Sequence, residues 1–148
     1  MSEFIGESGL LNISSNPHDV EQLLTSLEDL LAKSCLDDMS AFHLRCAVIE
    51  VINNCIQHAY LNKTGQPIRI SYQLDHDRVQ IVVSDKGHAF QEPKETSEAD
   101  PMSVSGRGLQ IIRAWVTKLR FERRDEWNMC ELEQKIPQST EQPMLNLP

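Results

Sequence analysis

The chain has 148 residues, which is enough for one domain with a single core and too few for two. Its formal net charge of -8 argues against direct binding of nucleic acid, because contacts with phosphates require clustered lysine and arginine. The sequence contains no signal peptide and no run of about 18 apolar residues, so we expect a cytoplasmic protein without membrane association.

Hydrophobic periodicity predicts a strand and two helices in the first 60 residues. A short alternating stretch over 10–14 predicts the strand. Apolar residues then recur at three- and four-residue steps over 17–33, which is typical of a helix with one apolar face. A second helix, capped by Asp37 or Asp38, is predicted to continue to about Tyr60.

The second half of the chain alternates strands with one more helix. Segments 68–74 and 79–83 alternate apolar and polar residues, which predicts a hairpin. The periodicity is lost over 86–105, where Gly, Pro, Ser and acidic residues are typical of a lid or binding loop. Apolar spacing over 109–119 predicts a third helix, and 119–136 predicts a closing hairpin.

This order of elements favours a two-layer α/β sandwich, because a doubly wound parallel sheet requires regular alternation of strands and helices. We assign the domain to 1–136 and predict that 137–148 form a disordered tail. The four cysteines show neither a C-x-x-C pair nor the paired spacing of zinc ligands. We therefore expect reduced thiols in the core, no disulfides and no zinc site.

Polar side chains interrupt the predicted second helix in the segment EVINNCIQHAY. Glu50, Asn54 and His58 are four residues apart, so they stack along one side of the helix. An ordinary solvated face is one interpretation. Such a face favours charged residues, however, and Asn53 and Asn54 are poor helix formers. The other interpretation is that oxygens of Glu50 and Asn54 meet at one ligand.

A second motif, VVSDKGHAF, follows the predicted hairpin. Asp85 ends a strand, where a carboxylate accepts hydrogen bonds from an amino group. Gly87 allows the backbone to approach a flat ligand closely. The same spacing also occurs in ordinary turns, so the motif alone leaves both interpretations open.

The third motif is SGRGLQIIRAW, in which Gly106, Arg107 and Gly108 lead into the predicted third helix. Free amides at a helix start attract phosphate, and the arginine adds charge and planar donors. A simple helix start is the alternative. The pattern G-x-x-x-x-G-K-[ST] does not occur, so a P-loop is excluded.

In this order, the three motifs resemble those of the gyrase, histidine-kinase and MutL-type (GHKL) ATPase superfamily, and most closely its anti-sigma-factor serine/threonine kinases. The similarity spans about 10–136. Segment 50–60 resembles the N-box, SDKGHAF the first glycine box and SGRGLQIIRAW the second. The resemblance implies a Bergerat-type ATP-binding fold, with a mixed, mostly antiparallel sheet covered on one face by about three helices.

The resemblance also implies roles for individual residues. Asn54 would give its side-chain oxygen to Mg²⁺, and Glu50 would be the catalytic base that deprotonates a hydroxyl of a partner protein. Asp85 would accept a hydrogen bond from the exocyclic amine of adenine, and Gly87 would leave room for the ring. His58 occupies the motif's usual histidine position, where we expect capping or packing and no chemistry.

The remaining cofactor-binding residues follow from the second glycine box. The loop over 91–105 would be the ATP lid, and Gly106, Arg107 and Gly108 would hold phosphates. Leu109 completes this part of the predicted set. The amide-rich stripe of the second helix would then be the floor of a Mg-ATP site.

The sequence departs from the family in two places. Ala89, which also belongs to the predicted cofactor-binding set, stands where the family often has a second glycine or a proline. This departure predicts a tighter adenine pocket. The last predicted strand, WNMCELEQKI, lacks the threonine that the family usually places near adenine. Either Asn128 or a water molecule would replace it, or nucleotide binding would be weaker than in the family.

We interpret the chain as a Mg-ATP-dependent protein serine/threonine kinase that acts as an anti-sigma factor in partner switching. The family implies a sigma factor and a STAS-type antagonist as partners, phosphorylation of the antagonist, and a homodimer. The two departures favour an alternative, a catalytically weak or inactive ATP-binding module that acts by binding alone. A sensor histidine kinase fragment fits less well, because neither His18 nor His43 lies in a convincing dimerising hairpin.

Overall fold

A computed structural model of the chain describes residues 6–89 and 104–138, the side chains at 104–107 excepted. Five strands form one sheet: Glu7–Ser14 (β1), Pro67–Leu74 (β2), Arg78–Asp85 (β3), Lys118–Arg124 (β4) and Trp127–Lys135 (β5). The helices are Pro17–Ala32 (α1), Asp38–Asn54 (α2) and Val104–Trp115 (α3). A π-helical turn over Cys55–Ala59, called the π turn below, follows α2 directly.

The sheet separates a helical layer from a polar outer face. Its strands run in the order β1-β2-β3-β5-β4, and each of these neighbouring pairs is antiparallel. The resemblance implies a mixed, mostly antiparallel sheet, and the described strands pair antiparallel throughout. Inward residues of the central strands join the helices in one core: Ile68, Ile70, Leu74, Val79, Ile81 and Val83. The predicted two-layer α/β sandwich is confirmed.

α1 packs a row of leucines onto this core. Pro17 occupies its first turn, where the missing N–H has no helical partner to lose. The buried residues are Leu23, Leu27, Leu30 and Leu31, as the spacing predicts. In the described ranges, no helix has the length and apolar character needed to cross a membrane.

α2 begins at the predicted cap, because the Asp37 carboxylate accepts a 2.7 Å hydrogen bond from the N–H of Ser40. The helical segment continues to Ala59, close to the predicted end at about Tyr60, but its last turn is not α-helical. After Asn54 the backbone widens into the π turn, where the N–H of Tyr60 donates to the carbonyl of Cys55, five residues back. Such turns are frequent at functional sites.

The Tyr60 side chain connects the π turn to two strands. Its hydroxyl donates to the Pro67 carbonyl at 2.5 Å and accepts from the Lys86 N–H at 2.6 Å. Burial raises the pKa of Tyr60, so the hydroxyl keeps the proton that it donates. These long-range hydrogen bonds stabilise the end of the helix, and they cannot be predicted from helical periodicity in the sequence.

α3 ends at Trp115, four residues earlier than predicted. Leu119 lies in β4 and pairs with Leu132 of β5. The Gln134 side chain stabilises the turn between helix and strand, since it donates to the Trp115 carbonyl and accepts from the Thr117 N–H, both at 3.0 Å. Apolar spacing alone cannot separate a helix end from a strand that continues the same spacing.

Two predicted segments lie largely outside the described residues. The predicted tail over 137–148 is described only to Gln138, and the predicted lid over 91–105 only at its last two positions, which are helical. The assignment of the domain to 1–136 therefore stays a prediction.

All four cysteines are free thiols. Cys55 and Cys130 are buried, Cys46 is half-buried and Cys35 is exposed, so Cys35 is not part of the core. Burial raises the pKa of Cys130 to about 12, which keeps it protonated at neutral pH.

Candidate functional site

The predicted polar stripe on α2 is not an ordinary solvated face. Asn54 is buried, with only 8% of its surface exposed, and Glu50 is half-buried. Asn53 and His58 are exposed, so the solvated interpretation holds for these two residues and the predicted packing role of His58 is not seen. α2 therefore turns a carboxylate and a carboxamide, one helical turn apart, away from bulk water.

Glu50 lies against the first turns of α3. A Cβ atom added to Gly108 would collide with the Glu50 carboxylate, coming within 2.6 Å of Cδ. Glycine at position 108 is therefore what allows α3 to approach this side chain. Burial raises the pKa of Glu50, and the charge of His58 lowers it to a smaller extent.

Asp85 is buried at the end of β3 and is only 4% exposed. Its Oδ1 atom accepts hydrogen bonds from the Gly87 N–H at 2.8 Å and from the Asn128 side-chain amide at 2.7 Å. The Cys55 thiol is also hydrogen-bonded to Asp85. Burial and the adjacent Asp85 charge raise the pKa of Cys55, so the thiol stays protonated and can donate.

Gly87 is required by packing between the strand end and the π turn. A Cβ atom at this position would collide with the backbone carbonyl of Ala59 and lie 2.7 Å from its Cβ. The next residue, His88, donates its N–H to the same carbonyl at 2.8 Å. The structure thus explains this glycine by its packing against Ala59, whereas the expected reason was space for a flat ring.

The three sequence motifs meet along one side of α2 and the π turn. Glu50 contacts Gly108 of the third motif, and Cys55, next to Asn54, contacts Asp85 of the second. One turn further, Ala59 contacts Gly87. Asp85 and Gly108, which are 35 and 58 residues from Glu50 in the sequence, thus both belong to motifs that contact α2 or the π turn.

The second glycine motif lies inside α3 and not in front of it, which corrects the predicted start of the helix. Gly106 and Arg107 belong to the first turn of a helix that begins at Val104, and the Arg107 side chain is not among those described. Leu109 is buried in the core, so only its backbone is available to a ligand.

An open pocket of about 440 Å³ adjoins the Asp85–Ala89 turn. It contains two predicted binding residues, Gly87 and Ala89, but not Glu50, Asn54 or Asp85. Its other lining residues include three cationic side chains: Lys63, Lys86 and Arg123. This positive lining contrasts with the net negative charge of the whole chain.

Asn128, one of the two substitutes that the sequence suggests for the family's threonine, lies next to Asp85. It lies opposite Asp85 in the β3–β5 register, and its side chain contacts that residue directly. Cys55, Tyr60 and Arg123 are not predicted as neighbours of the site, because their roles depend on pairing between distant segments.

The donor atoms of this site suit a hard cation, provided that most of its ligands come from outside the protein. Asn54 and Glu50 offer oxygen atoms, which Mg²⁺ prefers. Within residues 6–89 and 104–138, no three or more His, Cys, Asp or Glu side chains are grouped closely enough to hold a metal ion. A magnesium ion at Asn54 would therefore require phosphate and water oxygens to complete its coordination.

The fold and the converging motifs define an ATPase-type domain. The model of the histidine kinase-like ATPase domain family matches residues 13–133, and the chain belongs to that family. The chain is 29% identical to the serine-protein kinase RsbW of Listeria innocua over 120 residues, which are 75% of this chain and 76% of that one. It is 26% identical to the serine/threonine-protein kinase BtrW of Bordetella bronchiseptica over 96 residues, or 62% and 68% of the two chains.

Solved structures support the same fold. A Mycobacterium tuberculosis structure of RsbU and RsbW domains superposes with a TM-score of 0.64 and 16% identity, covering 88% of this chain and 33% of that one. The catalytic domain of the histidine kinase ThkA gives a TM-score of 0.51 at 16% identity, with 87% and 95% covered. The resemblance predicted from the three motifs is confirmed.

Proposed function

We propose that the protein is a Mg-ATP-dependent serine/threonine kinase that acts as an anti-sigma factor and phosphorylates an anti-sigma-factor antagonist. The support is membership of the ATPase family together with two relatives named as serine or serine/threonine kinases. The observation that carries the proposal is that α2 and the π turn contact both other motifs, through Glu50 with Gly108 and through Cys55 with Asp85.

Glu50 is the proposed catalytic base. A carboxylate with a raised pKa takes up a proton at neutral pH more readily than an ordinary glutamate, which suits removal of a proton from a serine or threonine hydroxyl. Its position against the start of α3 would orient that hydroxyl beside the proposed phosphate site. Phosphoryl transfer depends mainly on such positioning and on charge stabilisation.

Nucleotide binding is assigned to the other predicted residues. Asp85 would accept a hydrogen bond from an amino group on the base, and Gly106, Arg107 and Gly108 at the N-terminal end of α3 would lie against the phosphates, where the helix dipole favours negative charge. Asn54 would hold Mg²⁺, which neutralises phosphate charge when bound.

The proposed partners are a sigma factor and a STAS-type antagonist, and the proposed assembly is a homodimer. The kinase would release the sigma factor when unphosphorylated antagonist binds in its place. The proposal includes a cytoplasmic location, because a sigma factor acts on transcription there.

Phosphate transfer to a co-purifying partner tests the proposal. The wild-type protein is used to capture partners from the native host, γ-labelled ATP is added with Mg²⁺ or with EDTA, and labelled sites are mapped. We expect phosphoserine or phosphothreonine on a small captured protein only with Mg²⁺, and a loss of about 10²–10⁴-fold in Glu50→Gln. Glu21→Gln, on the exposed side of α1, is the control. No label on any captured protein would reject the kinase.

A binding module without kinase activity is the second candidate, favoured by Ala89 and by the replacement of the family's threonine with Asn128. The same experiment separates the two functions. A binding module would capture the sigma factor and antagonist in an ATP-dependent manner, and neither protein would gain phosphate.

A further inference from the structure

Asn128 joins the end of β3 to the turn that follows it. The residue is only 7% exposed and lies opposite Asp85 in the β3–β5 register. Its amide nitrogen donates to Asp85 Oδ1 at 2.7 Å and to the His88 carbonyl at 2.8 Å. One side chain therefore fixes both the carboxylate and the backbone on either side of Gly87.

Arg123, on the neighbouring strand β4, determines which way the Asn128 amide points. Its Nη1 atom lies 2.7 Å from Asn128 Oδ1. A guanidinium has only donors, so the amide atom facing it must be the oxygen. The amide nitrogen must then face Asp85 and the His88 carbonyl, which are both acceptors. All three contacts are satisfied by the same orientation of the Asn128 amide.

We propose that Asn128, oriented by Arg123, is a positioning residue that makes the site selective for a purine with an exocyclic amine over one with a carbonyl. The inference rests on the proposed function, because Asp85 must meet the nucleobase. It assigns selectivity to a hydrogen-bonded unit formed by Arg123, Asn128 and Asp85.

The selectivity follows from which polar atoms of the site are fixed as hydrogen-bond donors and which as acceptors. Asp85 is held with a free lone pair for an amine, whereas a purine carbonyl would place two acceptors together and leave both unpaired. Both amide hydrogens of Asn128 are already donated, one to Asp85 and one to the His88 carbonyl, so neither is available to a purine carbonyl. Without Arg123 the amide is free to leave these acceptors and to donate to that carbonyl instead. A site whose polar groups are fixed as donors or acceptors in this way binds a ligand with the opposite pattern much more weakly, because polar groups are left unpaired.

Matched arginine substitutions on β4 test the inference. Arg123→Ala frees the Asn128 amide and leaves Asn128 and Asp85 in place. Arg120→Ala is the control, because Arg120 is equally an exposed β4 arginine bonded to β5, at 2.9 Å from Glu131 and away from Asp85. Asn128→Leu removes the amide, and Asn128→Thr restores a donor. The readouts are ATP and GTP affinities by calorimetry, and NMR signals of the Asn128 amide protons without nucleotide.

We expect the wild type and Arg120→Ala to share a strong preference for ATP and slowly exchanging Asn128 amide protons. In Arg123→Ala and Asn128→Leu the ATP preference should fall about tenfold or more, the loss expected for a hydrogen bond to a charged group. Asn128→Thr should recover part of it, and amide exchange should accelerate in Arg123→Ala. If ATP binds and the preference is unchanged in Arg123→Ala and Asn128→Leu, the positioning role is wrong and the proposed function stands. If the wild type binds neither nucleotide, both are wrong.

Discussion

Burial raises the pKa of the Glu50 carboxyl, and the electrostatic interaction with His58 opposes part of that rise. A carboxyl whose pKa is higher in the folded state favours folding when protonated, below its unfolded pKa near 4.5, and that contribution is lost as pH rises through the folded pKa. The ionised Glu50 carboxylate therefore costs folding free energy at neutral pH.

Glu50→Gln should consequently be more stable than the wild type at pH 7, with an advantage that shrinks as pH falls towards 4. The physical reason is that glutamine keeps the shape of the side chain and cannot ionise. Urea denaturation across this pH range measures the difference in free energy of unfolding. Glu21→Gln controls for the loss of one exposed carboxylate. A difference that stays constant with pH would contradict the assigned burial of Glu50.

Gly108→Ala should reduce phosphate transfer at least tenfold with little change in stability. The added Cβ collides with the Glu50 carboxylate, the end of a flexible side chain that can move away, while alanine in a helix gains about 0.5–1 kcal/mol over glycine. The base is displaced and the fold is retained. Kinase assays and thermal unfolding measure the two effects.

Gln110→Ala, at an exposed position two residues further along α3, is the matched control and should change neither quantity. Full kinase activity in Gly108→Ala would show that Glu50 does not need its contact with α3.

At the scale of elements, the π turn depends on one side chain. Tyr60→Phe removes a hydroxyl that bonds both the Pro67 carbonyl and the Lys86 N–H. Leaving these two groups unpaired should cost about 1–3 kcal/mol of unfolding free energy. Chemical denaturation measures the loss, and Gln57→Ala, an exposed position in the same turn, is the control. A loss no larger than the control's would mean that the turn is held by its backbone alone.

Most helices and strands could be predicted from local patterns, and the errors occur where contacts between distant segments determine the local structure. The α1 leucines and the alternating residues of β2 and β3 face the core as their spacing predicts. The π turn could not be predicted, because the Tyr60 hydroxyl bonds lie outside the helix. The end of α3 could not be predicted either, because Gln134, 19 residues away, accepts and donates at that turn.

For the whole molecule, burial predicts an order of cysteine reactivity. Cys35 is exposed and should react first with a thiol reagent, whereas Cys55 and Cys130 are buried with raised pKa values and should react only when the protein unfolds. Reagent consumption over time measures this order, and Cys35→Ser should abolish the fast phase. Rapid modification of Cys55 in the native protein would contradict its burial next to Asp85.

The candidate site could be predicted in its members but not in its geometry. The four-residue spacing of Glu50 and Asn54 places both on one side of a helix, and the sequence motifs name Asp85 and Gly108. Their contacts with α2 and the π turn depend on how distant segments pack together, which no local pattern contains. The contact of Gly87 with Ala59 likewise depends on that arrangement.

Calorimetric titration with ATP, with and without Mg²⁺, tests most directly whether this side of α2 is a nucleotide site. We predict that the wild type binds ATP more tightly with Mg²⁺, that Asn54→Ala loses most of this metal dependence, and that Asp85→Asn weakens ATP binding about tenfold or more. Asp75→Asn, in the β2–β3 turn, should bind as the wild type does. ATP binding that is unchanged in both Asn54→Ala and Asp85→Asn would contradict the account.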